Sequence, residues 1–409
     1  MKSFSFLQFS DCHLDSDLSR SALQYPDAVA AQIREHQRET LTRVMREAVE
    51  RKVEAIFIPG DLWDGEGVRQ DTVFWLMELF ESVSPIPVYI VPGNHDPFHQ
   101  NSPYHSHYAD LRGVSGWSSN VTIFRSERGE SVIHPSRPDV CITGVATLAV
   151  ATGFDRPLAR CLDRPKRDGI SILLFHGSRE MEGIPNDKML RAASFRDGEL
   201  LAQGFSYVAL GHYHKRIFVA DSQGRVFGAY AGTPCGRTLS ETGKKGVLFG
   251  TCTEEGVKVQ DLEEVSFCPH VIHRIEVDVG RLMHKNAVIE KVEQAVQEVA
   301  PGNLDILYVV LSGIYGACEV PDIGAADFDL SVLHLVVDQQ IRPGYDLSAY
   351  VREGGVETIE RRLVKEMQRR ISNAASDDER NVLEAALYYG LDALVQGRCD
   401  TVYARYFHG

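Results

Sequence analysis

Five short runs rich in β-branched and aromatic residues punctuate the first half of the chain, and each stops at a polar cluster. SFSFLQF runs into SDCH, EAIFI into PGDLWD, VYIV into PGNHD, ISILLF into HGS and SYVAL into GHYH. Runs of about 5 to 7 such residues have the usual length of a β-strand. Between the first two, residues 27–51 carry Val29, Ile33, Leu41, Val44, Ala48 and Val49 at mixed helical spacings, which predicts an amphipathic helix. Residues 72–83 predict a second helix, stopped by the PIP that follows. Alternating strands and helices require crossovers and so an at least partly parallel sheet. Ligands of open α/β sheets collect beyond the carboxyl ends of the strands, so the polar clusters are candidates for one site.

A chain of 409 residues exceeds what one core usually serves, and two or three domains are expected. After about residue 220 the runs SQGRVFGAYAG and KKGVLFGTCTEEGVKVQDL read as hairpins closing a first domain over 1–267. VIHRIEVDVG, the helical KNAVIEKVEQAVQEVA and DILYVVLSG then predict a small α+β capping domain over 268–345. Residues 346–409 form a helical C-terminal region, with helices at 355–372 and 377–396 around the turn-prone NAASDD. MKSFSFLQFSD lacks the continuous apolar core of a signal peptide, and no apolar run approaches the roughly 18 residues that span a bilayer. A cytoplasmic protein without membrane contact is expected. The 8 cysteines show no CxxC pairing, which fits reduced, mostly buried thiols better than a disulfide framework or a zinc ribbon. A formal net charge of -14 argues against a broad basic surface for polyanions, although bound cations can meet a phosphate locally.

The polar clusters supply Asp11 and His13, Asp61, Asn94 and His95, His176, and His212 and His214. Singly, each is most simply a capping, turn-closing or hydrogen-bonded structural residue. Together they form the imidazole and carboxylate set that suits manganese, iron, zinc or cobalt without a thiolate. Eight side chains exceed the needs of one ion, and a carboxylate can bridge, so two ions are the economical solution. His212 and His214, two apart at a strand end, are expected on one face.

In this order DxH, GD, GNHD, H and GHxH resemble the calcineurin-like metallophosphoesterase superfamily over roughly residues 1–265. The resemblance implies an α/β (α+β) fold, a four-layer β-sandwich flanked by helices, of which the parallel sheet is only a portion. It also implies that Asp11, His13 and His214 hold one ion, that Asn94, His176 and His212 hold the other, and that Asp61 bridges them. His95 would be the general acid or transition-state stabiliser, oriented by Asp96, although Asp96 before Pro97 reads equally as a turn-closing aspartate. Manganese is the ion the resemblance favours. LQFSDCHLD, the long helix after it, GDLWD and the C-terminal extension resemble the bacterial SbcD-like and YhaO-like DNA repair exonuclease branch. Some members of that branch carry a histidine where this chain has Asp64.

The resemblance therefore implies a dinuclear phosphodiesterase, a DNA exonuclease or endonuclease subunit in DNA repair, with DNA as substrate. An SbcC-like SMC-type ATPase would dock on the C-terminal helices, and a homodimer is a further expectation. In residues 355–372, Ile359, Leu363, Met367 and Ile371 form a helical stripe that reads as core packing or as a docking face, with Arg361, Arg362, Lys365, Arg369 and Arg370 around it. His99, His105 and His107 would line the substrate path or a solvated loop. Lys215, Arg216, Lys244 and Lys245 would touch phosphates or serve solubility. Cys12 is expected to be buried and inert. The rival readings are a nucleotide or small-molecule phosphodiesterase or phosphatase, and a scaffold or DNA-tethering subunit of an SMC-like ATPase complex.

Overall fold

A computed structural model describes residues 2–18, 25–148, 156–160, 162, 168–180, 193–316, 319–352 and 356–397. Of the C-terminal region expected to be helical, residues 353–355 and 398–409 lie outside the described residues. The chain divides into two compact units, one of residues 1–273, 301–307 and 331–334, the other of 274–300, 308–330 and 335–409.

In chain order the first unit contains β1 (Ser3–Gln8), α1 (Asp27–Glu50), β2 (Ala55–Pro59), α2 (Gln70–Glu81), β3 (Val88–Val91), α3 (Ser106–Asp110), β4 (Val121–Ile123), β5 (Glu130–His134) and β6 (Arg137–Val145). It continues with β7 (Ile170–His176), β8 (Ser178–Arg179), β9 (Ser194–Phe195), α4 (Asp197–Ala202), β10 (Tyr207–Gly211), β11 (Ile217–Ala220) and β12 (Arg225–Tyr230). β13 (Val247–Thr253), β14 (Val257–Lys258) and β15 (Leu262–Val265) complete it. Two mixed sheets result, one in the order β15-β13-β1-β2-β3-β4, the other β11-β12-β10-β7-β6-β5 with β14 beside β12. β1, β2, β3 and β4 run parallel, as do β6, β7, β10 and β12.

Alternation along the strands builds three layers of core. Phe4 and Phe6, Ala55 and Phe57, and Tyr89 and Val91 point between the sheets, where they meet Ile142, Ile172, Leu174, Tyr207 and Ala209. Leu7, Ile56, Ile58, Val88 and Ile90 face the opposite way, onto Leu41, Val44, Met45 and Ala48 of α1 and Leu76 and Phe80 of α2. On the far side, Leu173, Phe175, Val208 and Leu210 pack against Leu158, Leu200 and Phe205. Helix, sheet, sheet and helix are thus stacked as the four-layer sandwich requires. A single open sheet is not formed, because the strands carrying the polar clusters split three to one sheet and two to the other. The run KKGVLFGTCTEEGVKVQDL is not a simple hairpin either: β13 pairs with β1 and β15, and β14 crosses to β12 in the second sheet.

The second unit holds most of a three-stranded sheet, β16 (Ile272–Asp278), β17 (Ile306–Ile314) and β18 (His334–Arg342), with α5 (Lys285–Val299). α6 (Leu347–Val351), α7 (Ile359–Ser372) and α8 (Asp377–Leu391) follow, the last continuing as a π turn through Asp392–Gln396. Val364 and Met367 of α7 are buried with Leu387 and Leu391 of α8, and Leu363 and Ile371 pack on the same cluster. The apolar stripe is therefore packing within the helical hairpin, except for Ile359, which is 69% exposed.

Candidate metal centre

The loops that follow β1 and β2 run side by side. Asp11 N–H donates to Gly60 O at 3.1 Å, His13 N–H to Asp61 O at 3.0 Å and Leu14 N–H to Leu62 O at 2.9 Å. This ladder extends the parallel pairing past the strand ends and fixes Asp11 and His13 beside Asp61. Asp11, His13, Asp61 and His212 have φ of 56°, 44°, 56° and 118°, a region that non-glycine residues rarely occupy. Strain of this kind is retained where surrounding contacts over-determine the backbone, and such residues cluster at functional sites.

The sheets converge at this end too closely for side chains in two places. A Cβ on Gly211 would lie 1.8 Å from Pro59 O, and one on Gly60, whose φ is +88°, would lie 2.4 Å from His176 Nδ1. The glycines of GD and GHxH thus let the second sheet's β7 and β10 approach the first sheet's β2.

Three groups of donor atoms form there, each with all its atoms within 4.8 Å of one another: Asp11, His13 and His214; Asp11, Asp61 and His176; and His13, Asp64 and His95. His13 Nε2 and His214 Nε2 face each other at 3.2 Å. Asp61 Oδ2 lies 3.6 Å from His13 Nε2 and 3.3 Å from His176 Nε2, so one oxygen addresses both groups. Asn94 Oδ1 lies 2.8 Å from His176 Nε2. His212 enters the site differently. Its backbone N–H donates to Asp11, and its ring centre lies 5.5 Å from that of His176. The shared-face argument for His212 and His214 does not hold, because β10 ends at Gly211 and both histidines lie in the loop beyond it.

At His176 and His214 the inward nitrogen is set by the bond the other nitrogen makes, the usual arrangement around a metal-ligating imidazole. His176 Nδ1–H donates to Pro59 O at 2.9 Å, and His214 Nδ1 is held by Glu241 Oε1 at 2.6 Å. Glu241 is itself buried and accepts from the backbone N–H and a guanidinium N–H of Arg237. Burial pushes the Glu241 carboxyl up, but Arg237 and His214 outweigh it and hold it well below the carboxylate range. Burial, and then the neighbouring His176, lower His212 to about 4, while burial lowers His13. His13 and His212, kept neutral beside buried carboxylates, offer lone pairs to a cation, whereas at His176 burial is outweighed by the Asp61 charge, which raises it to about 9; the donor set fits a pair of divalent ions.

His95 is placed at the mouth, its side chain 44% exposed, with Nδ1 bonded to Asp64 Oδ1 at 2.6 Å. That bond raises the His95 pKa above its ordinary value. Asp96 does not orient it. The Asp96 carboxylate is buried and accepts from Asp61 N–H at 3.0 Å, Gly93 N–H at 2.6 Å, Leu62 N–H at 2.8 Å and the Tyr104 hydroxyl at 2.6 Å. It ties together the loops after β2 and β3, the turn-closing role; burial and the Asp61 charge push its pKa up. Asp64 takes the orienting position because it stands three residues after Asp61, on the loop beside His95. Glu241 and Arg237 had no local signal, lying 27 and 23 residues beyond His214 in sequence.

A cavity of about 700 Å³ opens beside His95, lined also by Trp63, Val68, His99, Tyr108 and Arg112. His105 caps α3 by accepting from His107 N–H. Of the basic candidates, Lys245 is buried and Arg216 pairs with Glu264, while Lys215 and Lys244 are exposed. Cys12 is buried, and burial raises its thiol pKa well above the ordinary value.

The calcineurin-like phosphoesterase family model matches residues 4–216, the strands and loops that build this site. The chain belongs to that family of metal-dependent phosphoester hydrolases. It is 26% identical over 297 residues to the uncharacterized metallophosphoesterase YhaO of Bacillus subtilis strain 168, covering 71% of this chain and 66% of that protein. The chain thus spans slightly under two thirds of that relative's length. Among solved structures, TT1561 of Thermus thermophilus aligns at 12% identity and a TM-score of 0.36, over 62% of this chain and 100% of that one. A dimetal phosphatase from Danio rerio aligns at 10% identity and a TM-score of 0.38, over 64% and 99%. Among the described residues no helix is long and apolar enough to cross a membrane.

Proposed function

We propose that the protein is a dinuclear metal-dependent phosphodiesterase that cuts DNA as the nuclease subunit of a repair complex. The observation that carries the dinuclear reading is Asp61, whose single Oδ2 faces His13 at 3.6 Å and His176 at 3.3 Å. Asp11, His13 and His214 would hold one ion, and Asn94, His176 and His212 the other. Two divalent ions held here would supply Lewis acidity to the phosphoryl oxygens and a nucleophile at neutral pH. Manganese is the preferred pair. The chain's own residues do the rest. Asp61 and the imidazoles fix where the phosphodiester sits, and His95, fixed at Nδ1 by Asp64, presents Nε2 to give a proton to the leaving oxygen.

DNA is the substrate favoured by likeness to the SbcD-like and YhaO-like branch, and a solvent-facing His95 beside a wide cavity accommodates a polymer. Docking of an SMC-type ATPase on the C-terminal helices would use the exposed Val356, Ile359 and Val382, since the rest of the stripe is engaged within the hairpin. The test is manganese-dependent digestion of an end-labelled linear duplex beside a small chromogenic phosphodiester, with wild type, Asp61→Ala and His95→Ala. Duplex cleavage lost in both variants supports the nuclease reading. Cleavage of the small ester alone moves the assignment to nucleotides or small phosphodiesters, and no cleavage by the metal-loaded protein moves it to a scaffold.

A further inference from the structure

Cys235 Sγ, Cys268 Sγ and a ring nitrogen of His270 form a fourth donor group, all within 4.8 Å of one another and sharing no residue with the centre above. The sulfurs are 3.1 Å apart, and Cys268 Sγ lies 3.6 Å from His270 Nδ1. A second imidazole adjoins the group: His36 Nδ1 is 2.8 Å from the same His270 Nδ1, a hydrogen bond between the two rings. His270 Nε2–H donates to Gly236 O at 2.8 Å, which leaves Nδ1 unprotonated and aimed inward. A carbonyl bond of this kind is what orients a ligating histidine. Cys235, His270 and His36 are buried, and Cys268 is half-buried.

From these positions we infer a zinc site of two thiolates and one imidazole, Cys235, Cys268 and His270. With zinc–sulfur and zinc–nitrogen bonds of about 2.3 and 2.0–2.1 Å, a tetrahedral centre separates sulfur from nitrogen by roughly 3.6 Å, the distance between Cys268 and His270, and sulfur from sulfur by roughly 3.8 Å, so zinc would part Cys235 and Cys268 from their 3.1 Å. Two soft thiolates with an imidazole select zinc over the oxygen-seeking ions. A disulfide would need the sulfurs at about 2.05 Å. The ion would clip the loop after β12 to the segment entering β16. That loop also carries Arg237 and Glu241, which hold His214. The CxH of Cys268 and His270 is short, but its partner Cys235 lies 33 residues away, which hides the set from sequence spacing.

The test is metal content and cobalt spectroscopy on the full chain. Wild type is expected to retain one zinc per chain after manganese loading, and Cys268→Ser and Cys235→Ser to lose it. Cobalt-loaded wild type and Asp61→Ala should both show a thiolate-to-cobalt charge-transfer band in the near ultraviolet, since the aspartate–histidine centre has no thiolate to give one. The wild-type spectrum needs no variant to fold. Absence of that band in the cobalt-loaded wild type, or peptide mapping that finds a Cys235–Cys268 disulfide, overturns the inference. Loss of nuclease activity with the band intact would count against the proposed function alone.

Discussion

Asp64 Oδ1 holds His95 Nδ1 at 2.6 Å and lies 3.6 Å from Nδ1 of His13, so one carboxylate oxygen serves both the exposed histidine and a buried candidate ligand. The two tasks can be separated by substitution. His95→Ala removes the proposed proton donor and should lower kcat by about 10² to 10⁴, the range for general acids, with metal content unchanged. Asp64→Ala should lower kcat about tenfold or more and weaken metal retention, since the partners that orient a ligand are worth about 10 to 100-fold in affinity. Asp64→Asn retains an acceptor and should recover part of the loss. Steady-state kinetics with metal analysis on the same preparations decides it; equal metal loss in His95→Ala and Asp64→Ala would contradict the division of roles.

Glu241 gives a second prediction. Its carboxylate sits between His214 Nδ1 and the buried Arg237 guanidinium, and Nη2 of that guanidinium lies 3.4 Å from the same imidazole nitrogen. Glu241→Ala would strand Arg237 without its charge partner, a loss of about 3–5 kcal/mol when one member of a buried pair is removed. Glu241→Gln keeps the shape and should instead appear as weaker metal binding, about 10 to 100-fold. Urea unfolding and metal titration of the two variants should separate these effects.

What the sequence conveyed follows from the range of each interaction. The five strand ends were legible because apolar runs stop at polar residues, and the ligand types are local to those stops. The division into two sheets was not, because Ser3 pairs with Thr253 and Leu210 with Tyr230, and no local pattern records such partners. Residues that orient others, Asp64 for His95 and Glu241 for His214, depend on how loops from different strands meet. The strand-face argument for His212 failed at one residue, the strand ending at Gly211 and the backbone turning to φ 118° immediately after.

The close approach of the sheets predicts a sharp contrast among glycines. Gly211→Ala would drive its Cβ to 1.8 Å from Pro59 O and 2.9 Å from His176 Nδ1, parting the sheets where His176 bonds that same carbonyl. Activity and metal retention should fall together, with a lowered thermal midpoint. Gly198→Ala, in α4 with nothing within 4 Å of its added Cβ, should leave activity unchanged and raise stability by about 0.5–1 kcal/mol. If the two variants behave alike in a thermal melt and a phosphodiesterase assay, the convergence at Gly211 does not constrain the site.

Asp305 sets a pH dependence away from the metal centre. Burial pushes its carboxyl up, but hydrogen bonds from Gly302 N–H, His273 and Val271 N–H outweigh it, so the folded value lies below the ordinary one. A carboxyl depressed in the folded state binds its proton more readily once unfolded. Its contribution is therefore present in full above the unfolded value of about 3.9 and is lost as pH falls through the lower folded value. Asp305→Asn should destabilise the protein at neutral pH and flatten the acid limb of a stability profile recorded between about pH 6 and pH 3, where wild type keeps falling. Urea midpoints across that window test the sign: a variant whose deficit grows as pH falls would show that the hydrogen-bonded carboxylate is not what stabilises the segment.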